Sequence, residues 1–235
     1  MRPADQLRDV EIQRPFLGQA PGSVLYRSGQ TAVLCTASIT DRVPPWMEGQ
    51  GKGWVTAEYA MLPHSTNSRK SRDRGGKVDG RTTEIQRLIG RSLRAVVDLV
   101  ALGERMVTVD CDVLHADGGT RTAAITGGYI AMVDAIRSEL PDCSIGTAPL
   151  VDSVAAVSVG VVEDQVVLDL DYQLDFAAAV DMNVVMTGSG RFVELQGTGE
   201  EATFDDAQLS QMLQLARRGI EQLSARQREL LGTMV

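Results

Sequence analysis

The sequence predicts an α+β fold in which strands precede helices in each of two halves. Two observations carry that reading. Apolar or alternating stretches, such as TAVLCTASI (31–39) and VTVDCDVL (107–114), precede long segments of helical periodicity. The same order recurs after residue 153, where VAAVSVGVV (154–162) opens a run of strands that ends in one long amphipathic helix. A largely antiparallel sheet carrying at least one helix layer follows from this pattern. With 235 residues the chain is long enough to bury a core without disulfide or metal staples.

Taken in order, residues 22–27 and 31–39 read as strands about the turn Ser28-Gly29-Gln30, the second apolar enough to be buried on both faces. A Pro- and Gly-rich loop at 43–53 leads to a short strand at 54–61. Residues 64–80 hold no apolar side chain except Val78, so an exposed, mobile loop is expected. From 81 to 102 the periodicity is helical. Ile85, Leu88, Ile89, Leu93, Val96, Val97 and Val100 fall near one face, and Arg87, Arg91 and Arg94 form a basic stripe opposite. Residues 106–114 alternate as a half-buried strand. A second helix is expected at 123–140, closed by Pro141. Strands follow at 154–162, 166–172, 181–187 and 191–196. The last helix, 206–230, buries Leu209, Met212, Leu213, Ala216, Ile220 and Leu223, with Asp205 as N-cap and Gln208 placed for a capping box.

Composition excludes several classes. Cys35, Cys111 and Cys143 are odd in number and lack CxxC spacing, which argues against a disulfide framework or a cysteine zinc site. Cys35 and Cys111 read as inert core thiols, and His64 and His115 have no partner pattern. No apolar run approaches membrane-spanning length, and the N-terminus has no signal-like apolar region, so a soluble, cytoplasmic protein without membrane partners is expected. The net charge of −8 speaks against polyanions, but its distribution does not. Between Arg69 and Arg94 nine basic residues face three acidic ones, and screening limits how far the acidic remainder reaches.

The segment Asp117-Gly-Gly-Thr-Arg-Thr122 lies between a strand and a helix. Its glycines let backbone N–H groups approach a ligand, and the helix start favours an anion. Thr120 adds a hydroxyl and Arg121 a fork of donors matched to phosphate or carboxylate. The same residues would also serve a plain glycine turn with a surface arginine. Arg81 has a similar setting after Asp79-Gly80, so two arginines at two helix starts are placed to converge on one phosphate, or else simply to be solvated near caps. GQGKG (49–53) lacks the Walker spacing, and no GxGxxG stands at a strand–helix junction. In the second half, Asp175 and Asp181 bracket the apolar stretch FAAAV and are candidates for holding a hard cation with substrate phosphates. Asp169 and Asp171 read as the solvated face of a strand.

At these residues the chain resembles the ribonuclease PH family. KVDGRTTEIQRLIGRSLRAVVDL, VDCDVLHADGGTRTAAITGG, DMNVVMT and VELQGTGE carry the resemblance, with GQGKGWVTAEYAMLP and MRPADQLR in the same register. It implies a single ribonuclease PH domain over 1–235, related in fold to domain 2 of ribosomal protein S5, with similar halves at about 10–140 and about 153–230. It also implies a phosphate-dependent 3′→5′ exoribonuclease, a tRNA nucleotidyltransferase acting on tRNA precursors and other RNA 3′ ends. Arg81, Gly119, Thr120 and Arg121 match the family's phosphate-binding positions, and Asp175 and Asp181 its metal-binding and catalytic aspartates. Arg121 is counted with the catalytic set. Mg²⁺ or Mn²⁺, inorganic phosphate as co-substrate and a homo-hexamer built as a trimer of dimers follow from the same likeness. Arg69, Arg72, Arg74 and Lys77 are expected to contact RNA. One stretch departs from the family, which usually reads Glu-Asp-Ser-x-x-Glu-x-Asp where this chain has Leu174-Asp175-Phe176-Ala177-Ala178-Ala179-Val180-Asp181. That departure supports one alternative, a catalytically weak or inactive RNA-binding ring subunit.

Overall fold

A computed structural model describes residues 2–72, 79–199 and 202–232. The first sheet contains β1 (Val10–Gln13), β2 (Gly22–Ser28), β3 (Thr31–Thr40), β4 (Trp54–Met61) and β5 (Met106–His115), in the spatial order β1-β2-β3-β5-β4. β2 and β3 form a hairpin that pairs Ser28 with Thr31. Gly29 has φ +56°, the sign such a tight turn demands. β5 runs antiparallel to β3 and parallel to β4, so the chain between β4 and β5 must cross over.

That crossover corrects the expected helix at 81–102. It is two helices, α1 (Gly80–Arg94) and α2 (Leu99–Leu102). Between them Val97 forms a β-bridge with Leu150, and the Asp98 carboxylate accepts from the N–H groups of Val100 and Ala101, capping a new helix. β-branched Val96 and Val97 suit the extended interruption. The basic stripe is also less free than expected. Arg91 pairs with Glu194 at 2.7 Å, and Arg94 lies over the Trp54 ring at 4.3 Å while donating to Val55 O.

α3 (Thr120–Glu139) begins three residues earlier than its apolar pattern suggests. It is buried on nearly every side, with the first sheet on one flank and the second on the other. Gly127 permits the approach, since a Cβ there would lie 2.9 Å from Tyr26 Cβ and 3.0 Å from Cys35 Sγ. Ile125, Ile130 and Ile136 are fully buried, and truncating any of them to alanine would cost about 2–5 kcal/mol.

The second sheet holds β6 (Val154–Val162), β7 (Gln165–Leu168), β8 (Val180–Thr187) and β9 (Phe192–Gly199), in the order β7-β6-β8-β9 and antiparallel throughout. Met182, Val184 and Met186 pack beneath α5 (Asp206–Leu231), which opens with the expected Asp205–Gln208 capping box. The strand expected at 166–172 stops at Leu168. Asp169 turns into the left-handed region (φ +57°), and Asp171 caps a short helix, α4 (Tyr172–Ala177). Neither aspartate lines a solvated strand face.

Candidate active site

β5 ends at the turn that opens α3. Thr31 Oγ1 donates to Gly118 O at 2.7 Å and accepts from the Asp117 N–H at 3.0 Å. Gly118 (φ +72°) lets the turn press on the start of α4, where an added Cβ would meet Leu170 O at 2.6 Å. Gly119, the N-cap, is left-handed (φ +66°) and has no side chain to cap the first turn. The first amides of α3 are thus left to an external acceptor, an arrangement that favours an anion. Thr120 Oγ1 lies 2.8 Å from the Tyr59 hydroxyl. Burial pushes the Tyr59 phenol up, against the opposing Thr120 hydrogen bond and nearby Arg81 and Arg121 charges, so it remains protonated.

The two arginines are held differently. Arg121 donates to Gln196 Oε1 at 2.6 Å and lies 3.4 Å from Glu84. Arg81 is exposed in the first turn of α1, whose N-cap is Asp79. The Thr82 backbone N–H, then Lys70, hold the Asp79 carboxyl at about 2, so the cap stays charged.

The opposite wall is the second sheet. Register places Gly160, Asp181 and Thr198 in one cross-strand row, and Ser158, Asn183 and Gln196 in the next. Residues two apart share a face. That face is apolar where α3 covers it, at Val154, Ala156 and Val185, and polar beyond the start of α3. Together the walls enclose a cleft of about 560 Å³ lined by Arg81, Gly119, Thr120, Arg121, Asp175 and Asp181, with Tyr172 and Gln196 beside them. The six expected phosphate and carboxylate positions share one cavity. Arg69 and Arg72 are exposed outside it. Arg74 and Lys77 lie outside the described residues.

The sequence did not point to the brace behind the turn. Arg8 donates through Nη1 to Asp117 O at 2.6 Å, and through Nε and Nη2 to the Asp169 carboxylate at 3.0 and 2.6 Å. The Arg8 backbone N–H adds a bond to Asp169 at 2.8 Å. Burial raises the Asp169 carboxyl, but Arg8's hydrogen bonds and charge, with help from Arg2, outweigh it and leave the group below its ordinary range. Gln196 was also missed, although its alternation with Glu194 and Thr198 along β9 carries a usable signal.

A two-sheet α+β protein whose cleft sets an uncapped helix start and two arginines against two aspartates has the donor set of an enzyme that moves phosphorylated groups. Residues 6–137 match domain 1, and residues 152–219 match domain 2, of the RNase PH 3′ exoribonuclease family. The chain is 67% identical over 238 residues to ribonuclease PH of Rhodopirellula baltica, covering 99% of this chain and 97% of that one. It is 56% identical over 233 residues to ribonuclease PH of Bacillus subtilis, covering 98% and 95%. Its fold is similar to rice Rrp46 (TM-score 0.78, 19% identity, 98% of both chains). A chain of the Archaeoglobus fulgidus exosome with RNA bound to the active site is also similar (TM-score 0.78, 19% identity, 96% of this chain and 90% of that one). The chain belongs to the ribonuclease PH family and is a phosphorolytic 3′ exoribonuclease.

Proposed function

We propose that the chain trims the 3′ ends of RNA, tRNA precursors among them, by transferring the terminal nucleotide to inorganic phosphate within this cleft. The observation that supports it is the convergence of Arg81, Arg121 and the α3 start with Asp175 and Asp181. A phosphate oxygen attacks the terminal phosphodiester phosphorus, and the bond to the preceding 3′-oxygen breaks. A nucleoside diphosphate leaves, and the departing oxygen is protonated to a new 3′-hydroxyl. Both reactants are anions, so the chief obstacle is their repulsion. Gly119, Thr120, Arg121 and Arg81 hold the phosphate and offset that repulsion with pre-oriented donors. Phosphate is already a nucleophile, so no histidine base is required, which suits a chain with two histidines.

Asp175 and Asp181 fit Mg²⁺ or Mn²⁺ shared with substrate. Such ions are commonly held by one or two carboxylates, waters and substrate phosphate oxygens. Among the described residues no group of three or more His, Cys, Asp or Glu side chains is placed to hold a metal. Bound there, the ion would neutralise charge developing on the leaving oxygen. Arg69, Arg72, Arg74 and Lys77 would add RNA backbone contacts. The family resemblance supports one domain of two similar halves, a homo-hexameric trimer of dimers and a cytoplasmic location. Among the described residues no helix is long and apolar enough to cross a membrane. A silent ring subunit would have no use for the preserved anion site.

The test is incubation with an RNA bearing an unstructured 3′ tail. Nucleoside diphosphates should be released only when phosphate is added. Nucleoside monophosphates released in phosphate-free buffer would refute the reading.

A further inference from the structure

α4 presents a surface that phosphate transfer leaves unexplained. Tyr172, Asp175 and Ala178 line the cleft. At about 100° per residue Tyr172 and Asp175 lie about 60° apart on the helix, Ala178 follows as its C-cap, and Phe176 falls next to Tyr172 on the side away from Asp175. Tyr172 is 56% exposed and Phe176 84% exposed, the largest exposure among the exposed large apolar side chains of the described residues. Their rings lie 26° from parallel with centroids 6.5 Å apart, so they form a continuous aromatic ledge from the cleft lining to its rim.

This ledge is fixed relative to the phosphate site. The Asp171 carboxylate caps α4 by accepting from the Leu174 N–H at 2.9 Å. The Tyr172 N–H approaches Asp117 Oδ1 at 3.4 Å, and Gly118 is pressed against the Asp171 backbone. The helix bearing the aromatics therefore rests on the turn that begins α3. An RNA strand with its last phosphodiester at Arg121 and Asp175 must leave the cleft past one of its rims. At this rim it meets two ring faces beside a carboxylate. Every base has a π-face, so such a platform holds single-stranded RNA without reading its sequence.

We propose that Tyr172 and Phe176 form a base-stacking subsite for the single-stranded 3′ segment of RNA, just upstream of the nucleotide being removed. The proposal rests on the exoribonuclease reading above. It accounts for an exposed phenyl group at a cleft mouth, and its ligand is a nucleobase.

The experiment compares the full-length protein with Phe176→Ala, Phe176→Leu and Phe176→Trp, using a short unstructured oligoadenylate. KM for the oligonucleotide should rise about 5- to 150-fold in the alanine and leucine variants, the range expected for loss of one stacked base. KM for phosphate should stay unchanged, and tryptophan should restore tight binding. An abasic nucleotide moved stepwise along the 3′ segment should find one position at which Phe176→Ala adds no further loss. Unchanged oligonucleotide KM in the alanine and leucine variants, beside an active wild type, would overturn the ledge. Full rescue by leucine would also overturn it, since any apolar contact would then suffice. A loss that tracks a change in oligomer mass by light scattering would assign Phe176 to a subunit contact and overturn it too. A wild type that neither binds the oligonucleotide nor releases nucleoside diphosphate would instead bring down the underlying functional reading, and the ledge with it.

Discussion

Asp169→Asn isolates the charge behind the turn that opens α3. Asparagine tolerates the left-handed backbone nearly as well as aspartate, so φ +57° adds little strain, and the two side chains are alike in size. What changes is the partner of Arg8. Both side chains of the pair are only 8% exposed, and the carboxylate accepts from Arg8 Nε, Nη2 and backbone N–H. The amide keeps one acceptor but turns an NH₂ group toward those donors. Stranding a buried guanidinium costs about 3–5 kcal/mol, and the retained acceptor favours the low end, about 3 kcal/mol. For a chain of this length that is a fall in Tm of roughly 6–12 °C. Because the folded-state carboxyl lies below its unfolded value, its contribution is fully present above the ordinary aspartate range and is lost as pH falls through the folded value. The stability gap between wild type and variant should therefore be constant from neutral pH down to roughly pH 5 and should narrow at lower pH. Arg8 also holds Asp117 O, so a loosened brace should raise KM for phosphate more than it lowers kcat. Denaturant melts at several pH values and phosphate saturation curves measure both effects. A variant within about 1 kcal/mol of wild type, the range of an ordinary single hydrogen bond, with unchanged phosphate KM would refute the account.

Arg121→Ala and Arg81→Ala should each lower phosphorolysis by at least ~100-fold, as loss of one oriented anion donor does, while melting curves stay close to wild type; near-normal rates in either would place the phosphate elsewhere. Asp175→Asn or Asp181→Asn should suppress turnover and flatten its Mg²⁺ dependence, and full wild-type activity in excess chelator would contradict the metal assignment. Neutralising Arg69, Arg72, Arg74 and Lys77 together should weaken tRNA binding and reduce its salt slope by roughly 0.7 per lost phosphate contact. Equal affinity and slope at two salt concentrations would leave those residues with a solvation role alone.

Elements whose periodicity is set by a single packed face were legible in the sequence. β4 and β5 alternate against one core, and the α5 stripe with its Asp205–Gln208 cap depends on neighbours only a few residues away. The break at Val96–Asp98 was not, because it is imposed by Leu150, far along the chain. Asp169 followed an apolar strand run and so read as its continuation, whereas its conformation is dictated by Arg8, 161 residues away. The residues proposed for phosphate and metal were singled out through motif resemblance, and the fold brings them to one cleft. Their second contacts, Arg8 behind the turn and Gln196 on Arg121, arise only once the two sheets meet.

The position of α3 ties enzymatic competence to the completion of folding. Its first turn is one end of a helix wedged between both sheets, and Gln227 of α5 fastens it by donating to Thr126 O at 3.2 Å and Val154 O at 3.0 Å. A nascent chain with only its first sheet has Arg81 and Arg121 but lacks Asp175, Asp181 and the opposing wall, so under the proposed mechanism it should not shorten RNA. A phosphate held by Arg81 and the α3 start would act in the other direction as a ligand of the folded first half, since all four expected phosphate residues precede residue 122. At a concentration 100 times its dissociation constant it would add about 2.7 kcal/mol to the native state. Phosphate would thus steady the α3 start, the element on which both sheets pack, rather than bridge the two halves itself.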